Sequence, residues 1–226
     1  MYDVHVERSA GYAGIAFVVL VLLGSFLPGI PPDPDAPVSA VAAYLDAHHA
    51  MWQLAGWLVF PQVAFFLWFT VQLRAYLRLA PQIDDGLGTY LLVGGILAGS
   101  LASLIGVSQL VLGFRATADL GLPAVRGLYD VFNAAGALIL GPCAIMMVAA
   151  SQSGRRHASL PRGLVLFGYI GAIGAIVGTL SVFFRTGFLA MGGVGSVIVG
   201  LLPFAIWIVW ASMVLIKAPR SGEKAA

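Results

Sequence analysis

The chain has 226 residues, 60% of them hydrophobic and only 10% charged, with a net charge of +2. Soluble domains carry about 25% charged residues, so this chain cannot cover a water-facing surface and its main solvent must be lipid. Its twelve Lys and Arg are scattered over loops, with no basic face interleaved with aromatics, and give no sign of nucleic-acid binding.

The first apolar run, from about Ala10 to Leu27, is long for a secretory signal. Asp3 and Glu7 precede it beside a single Arg8, and it leaves through Pro28, Gly29 and Pro31 with no small-x-small cleavage site. It reads as a retained helix. A transmembrane helix needs about 20 apolar residues, and six stretches qualify: 9–29, 50–73, 87–114, 128–150, 163–184 and 192–216. Turn chemistry separates them, as at Pro31-Pro32-Asp33-Pro34-Asp35, Pro81-Gln82-Ile83-Asp84-Asp85-Gly86 and Gly121-Leu122-Pro123. Only the first outer loop, 30–49, is long. Its prolines predict a stiff link, after which Asp35 is placed to cap a helix with Pro37 near its first turn. Val38, Val41 and Leu45 then recur at helical spacing beside Ser39, Asp46 and His48, an amphipathic interfacial segment running into the second span.

Basic residues set the orientation. The face with the N-terminus holds Arg8, Arg74, Arg78, Arg155, Arg156, Arg162, Lys217, Arg220 and Lys224, nine in all. The other holds three: Arg115, Arg126 and Arg185. The expected fold is therefore all-α, a single polytopic helical bundle of six spans in the cell membrane with both termini cytoplasmic.

Helices in lipid associate through close backbone approach and hydrogen bonds. The third span carries Gly95, Gly99 and Ser103 four apart; the fifth carries Gly168, Gly171, Gly174 and Gly178. These stripes predict that the two spans form the inner contact of the bundle, with a homodimer face as the alternative. Pro61, Pro142 and Pro203 lie inside the second, fourth and sixth spans. Each removes a backbone donor and bends its helix, read here as static shape.

The span centres hold no Asp, Glu, Lys, Arg or His. That argues against an ion-coupled carrier and against an intramembrane haem on paired histidines. Cys143, the single cysteine, excludes an intramolecular disulfide and a multi-cysteine metal site and reads as a small buried hydrophobe. No cofactor, metal or catalytic residue is assigned. Polar groups gather instead at the outer helix ends: His48, His49 and Gln53 on the second span, Gln109 and Arg115 on the third, Asp130 and Asn133 on the fourth, Arg185 after the fifth. Interfacial anchoring, with snorkelling arginines, accounts for them. The sharper reading is a pocket for a lipid head group or small anion, with both arginines as donors and Asp130 as their partner. Trp52, Trp57, Trp68, Trp207, Trp210, Tyr90 and Tyr129 suit aromatic belts and deep packing. Gln62, deep in the second span, is expected to bond another helix or the backbone that Pro61 frees.

Val41-Ala42-Ala43-Tyr44-Leu45, Phe66-Leu67-Trp68-Phe69, Leu73-Arg74-Ala75-Tyr76-Leu77-Arg78, Leu160-Pro161-Arg162-Gly163-Leu164 and Phe204-Ala205-Ile206-Trp207 together resemble a broad group of actinobacterial integral membrane proteins of unknown function. The resemblance covers most of the chain, implies six helices in a cell membrane, and supplies no catalytic residues. The expected role is to bind a membrane lipid or hydrophobic small molecule, or to serve as an accessory subunit to a partner membrane chain. The alternatives are an enzyme acting on lipid head groups at the outer face, with His48 or His49 as base beside Asp130, and a small-molecule exporter or uniporter.

Overall fold

The computed structural model describes residues 8–77, 85–115, 117–185 and 187–217, and its regular elements are all helical. His5, Arg78, Arg220, Lys224 and most of the predicted turn 81–86 lie outside the described residues. The elements in chain order are α1 (Ser9–Phe26), α2 (Val38–Leu77), α3 (Asp85–Phe114), a short α4 (Thr117–Leu120), α5 (Leu122–Leu138), α6 (Leu140–Arg156), α7 (Arg162–Thr179), a 3₁₀ turn (Leu180–Phe183), a short α8 (Val194–Ser196), a π turn (Val197–Leu201) and α9 (Leu202–Lys217). Six helical stretches are long and apolar enough to cross a membrane, the fourth being α5 and α6 together and the sixth the π turn with α9.

α1 ends where the chain needs a left-handed residue: Gly29 has φ +77 and its N–H bonds the Phe26 carbonyl at 3.1 Å. The helix after the proline link begins at Val38, with the Pro37 carbonyl accepting from Ala40 and Val41 at 2.9 and 3.2 Å. The predicted cap at Asp35 is therefore displaced by two residues, because Asp33–Ala36 closes a turn of its own, Ala36 N–H to Asp33 O at 2.9 Å. α2 has 40 residues, about 60 Å at 1.5 Å per residue, twice what a bilayer core needs. Its first turns are the predicted amphipathic segment, with Val41 and Leu45 fully buried within the bundle. The break from the span falls at His48, whose φ −121 and ψ 15 are not helical.

The spans ring the molecule in chain order: α1 lies on α2, α2 on α3, α3 on α5 and α6, α6 on α7, α7 on α9, and α9 back on α1. The second, fourth and sixth also touch one another across the middle. They form an inner triangle, and α1, α3 and α7 sit outside it. The inner three are the spans that carry Pro61, Pro142 and Pro203. Because α6 lies between α3 and α7, the predicted inner contact of the third and fifth spans is not formed. A Cβ on Gly95 or Gly106 of α3 would lie 2.6 Å from Thr70 or 2.8 Å from Val59, both on α2, while one on Gly171 of α7 would lie 3.0 Å from Met147 of α6. Both stripes do mark close approach, but spacing alone does not say to which neighbour.

The prolines act in three ways. Pro61 leaves α2 helical around it. Pro142 lies in the first turn of α6, just after Ile139, whose φ −58 and ψ −26 keep the chain helical where α5 passes into α6. Pro203 has no N–H for the carbonyl of Val199, and the chain there is a π turn. The Val199 oxygen is turned instead onto Gly174 of α7, so close that no side chain fits between them.

Two apolar clusters result. The larger fills the end that carries the termini and the middle of the bundle, around Phe66, Phe69, Met146, Met147, Trp207 and Ile208. The smaller fills the opposite end, around Val41, Leu45, Trp52, Leu112, Val125 and Tyr129.

Candidate functional site

At the opposite end the chain from 28 to 37 is held down by three side chains. The Tyr44 hydroxyl donates to the Pro28 carbonyl at 2.5 Å, the Tyr129 hydroxyl to the Pro32 carbonyl, and Arg126 Nη1 to the Ala36 carbonyl at 2.9 Å. Beneath the link lies a sequence of rings. Tyr44 stacks on His48 with centroids 4.4 Å apart, and Trp52 meets Tyr129 at 6.2 Å and Phe132 at 5.1 Å. Tyr44, His48 and Trp52 are four apart along α2, so the helix itself brings them to one face.

The predicted polar residues divide around this cap. His48 is half-buried with Nδ1 at 2.9 Å from the Tyr44 carbonyl; His49 is exposed with Nδ1 at 3.1 Å from the Asp46 carbonyl. A carbonyl only accepts, so both bonds require the proton on Nδ1 and leave Nε2 as the basic nitrogen. Gln53 is half-buried against Gly113 of α3, where a Cβ would lie 2.7 Å from the Gln53 nitrogen. Gln109 is buried. Asn133 is buried too, its Nδ2 donating to the Tyr129 carbonyl at 2.8 Å and its Oδ1 beside Gly192. Asp130 pairs with Arg126, one turn before it, at 3.2 Å. Arg115 and Arg185 are exposed. Among the described residues no ion pair joins either of them to Asp130, and no hydrogen bond joins Asp130 to a histidine. Nor, among those residues, do three His, Cys, Asp or Glu side chains group closely enough to hold a metal.

Tyr44, Tyr129 and Arg126 were not singled out from the sequence as a set, yet they tie the link to the bundle. The available signal was the run of five prolines between 28 and 37. Prolines lack N–H groups, so such a link has more acceptors than donors and needs side chains to supply them.

A second feature lies at the other end, on the flank of the bundle. α1 contributes Ser9, Tyr12, Ala13 and Ala16, and α2 contributes Ala64, Phe65 and Trp68, to an open groove of about 540 Å³. The α1 residues are spaced i, i+3, i+4, i+7, one face of the helix. The alanines make the floor, and exposed Tyr12, Phe65 and Trp68 make the walls. The groove persists because the two helices are joined at other heights: Phe17 packs on Phe66 at 4.8 Å, and Gln62 Nε2 donates to the Leu20 carbonyl of α1 at 3.0 Å. Gln62 thus bonds another helix, as expected of a deep amide.

No protein-family model, curated protein or solved structure matches the chain.

Proposed function

We propose that this is a non-catalytic protein of the cell membrane, both termini cytoplasmic, that binds a membrane lipid or similar hydrophobic small molecule on its flank. The observation that carries the reading is the α1–α2 groove: an alanine floor between aromatic walls, on helices long and apolar enough to lie in a bilayer. Two further observations support it. The middle of the bundle is filled by Phe66, Met146, Met147 and Trp207, which leaves the lateral surface for a ligand. At the opposite end, aromatic rings and the strapped link form a cap around which the polar residues divide. The nine-to-three distribution of Lys and Arg supports the orientation, and the boundary motifs support a place in the actinobacterial group they resemble.

Native mass spectrometry of the gently extracted protein tests the binding reading. A retained lipid-sized mass that is lost in Ala64→Trp, which fills the groove, is the expected result. A second protein chain with no small ligand would favour the accessory-subunit role instead. Cysteine labelling of intact cells in a Cys143→Ala background tests the orientation: positions in 31–37 should react and positions in 151–162 should not.

A further inference from the structure

We infer that the groove selects a glycerophospholipid with an anionic head group, its phosphate at Arg8 and an acyl chain on the alanine floor. This rests on the reading of the groove as a lipid site and adds the class of lipid. The groove begins at Ser9, and the residue before it, Arg8, is exposed. α1 and α2 run antiparallel, so Trp68 stands at the same end as Tyr12 and Arg8, and Ala64 lies deeper, toward Ala16. The site is therefore graded along its length: cation, then amphipathic rings, then bare alanine. That is the order of a phospholipid from phosphate through ester region to tail.

The ends of the bundle differ in charge in the same sense. Among the described residues, the end where α1 begins carries six Lys and Arg (Arg8, Arg74, Arg155, Arg156, Arg162 and Lys217) and one acid, Asp85. The opposite end carries three against five (Asp33, Asp35, Asp46, Asp119 and Asp130). Only the first has a field that draws an anion. Lys217 adds to it locally. It follows Ile216, which lies against Gly11 on the first turn of α1, so this cation stands at the same end of the bundle as Arg8. A zwitterionic head group gains less there, because its own cation faces the same field.

The test uses the full-length protein in detergent, with phosphatidylglycerol and phosphatidylcholine of identical acyl chains, read by native mass spectrometry. Wild type should retain phosphatidylglycerol about fivefold better, the effect of one basic residue near a lipid surface. Arg8→Gln should erase the preference, lowering phosphatidylglycerol retention more than phosphatidylcholine retention. Ala64→Trp, and separately Ala16→Leu, should lose both lipids; their melting temperatures show that the fold survives. If Arg8→Gln keeps the preference while the groove variants lose both lipids, the head-group assignment is wrong and the groove stands. If the groove variants retain both lipids as wild type does, the lipid site itself is elsewhere and both readings fall.

Discussion

The two ends of this bundle are held by different means. At the termini end, and through the middle, large side chains interlock and glycines let backbones meet: Trp207 and Met147 are fully buried, and Gly174 lies on the Val199 carbonyl. At the opposite end a small aromatic cluster sits under a proline link tied by Tyr44, Tyr129 and Arg126 to three of its carbonyls. The difference follows from what each end must satisfy. Along the long apolar helices the backbone bonds are made inside the helix, the Val199 carbonyl aside, and association depends on packing. Where the chain turns irregular, carbonyls lose their helical partners, and side-chain donors must replace them.

Trp207→Ala should have the largest effect, a loss of about 4 kcal/mol and a lower melting temperature for the whole protein, as for large aromatic truncations in cores. Trp52→Ala removes as large a side chain from the smaller cluster. Its cost should be local: hydrogen exchange should rise in 28–48 and in α5 while α7 and α9 stay protected. Equal loss of protection at both ends in the Trp52 variant would mean that the two clusters form one cooperative unit.

Glycine substitutions sharpen the same contrast. Gly174→Leu must push α7 off the Val199 carbonyl and should cost about 3 kcal/mol, the upper range for overpacking. Gly136→Leu on α5, where a Cβ meets nothing within 4 Å, should melt like wild type. Gly99→Ala is the informative intermediate. Its Cβ would lie 3.5 Å from Val63, an ordinary contact, so no measurable loss is expected although Gly99 lies in the α3 stripe. Tyr129→Phe comes next in size. It keeps the ring and removes the bond to Pro32, so about 1 kcal/mol should be lost, with faster exchange confined to the link.

These contrasts also show what the sequence could and could not convey. Six spans were legible because lipid imposes a length and an absence of charge on each, and neither depends on neighbours. The helical segment that runs into the second span was legible from Val38, Val41 and Leu45, whereas the break at His48 was not. The partners of the glycines were not. Gly95 and Gly174 read alike, yet one meets Thr70 of α2 and the other a carbonyl freed by Pro203. That freed carbonyl was implied by the proline, but its target depended on the order of helices around the ring. Among the polar residues, Asp130 was assigned to Arg115 or Arg185 by shared depth, whereas Arg126 lies one turn before it on the same helix. Proximity along a helix outweighs shared depth, since bringing two loops together costs order that a helix has already fixed. The α1–α2 groove was invisible because alanines at Ala13, Ala16 and Ala64 carry no chemical signal until two helices set them opposite each other.

The smallest measurable loss predicted concerns Arg126, which serves two partners at the opposite end: the Ala36 carbonyl of the link and the Asp130 carboxylate. Both side chains of the ion pair are partly open, 33% for Arg126 and 48% for Asp130, so water and salt screen it. A double-mutant cycle of Arg126→Gln and Asp130→Asn in detergent should give a coupling of about 0.4 kcal/mol, typical of exposed i,i+4 pairs, and 0.5 M salt should remove it. Arg126→Gln alone should cost more than Asp130→Asn, because only the arginine also bonds the link, and that bond to a buried-side carbonyl does not depend on the carboxylate. Exchange in 33–37 should therefore quicken in Arg126→Gln and not in Asp130→Asn. Equal effects of the two substitutions would show that the arginine holds the link only when Asp130 orients it, and the strap would then be a chain of three groups in series.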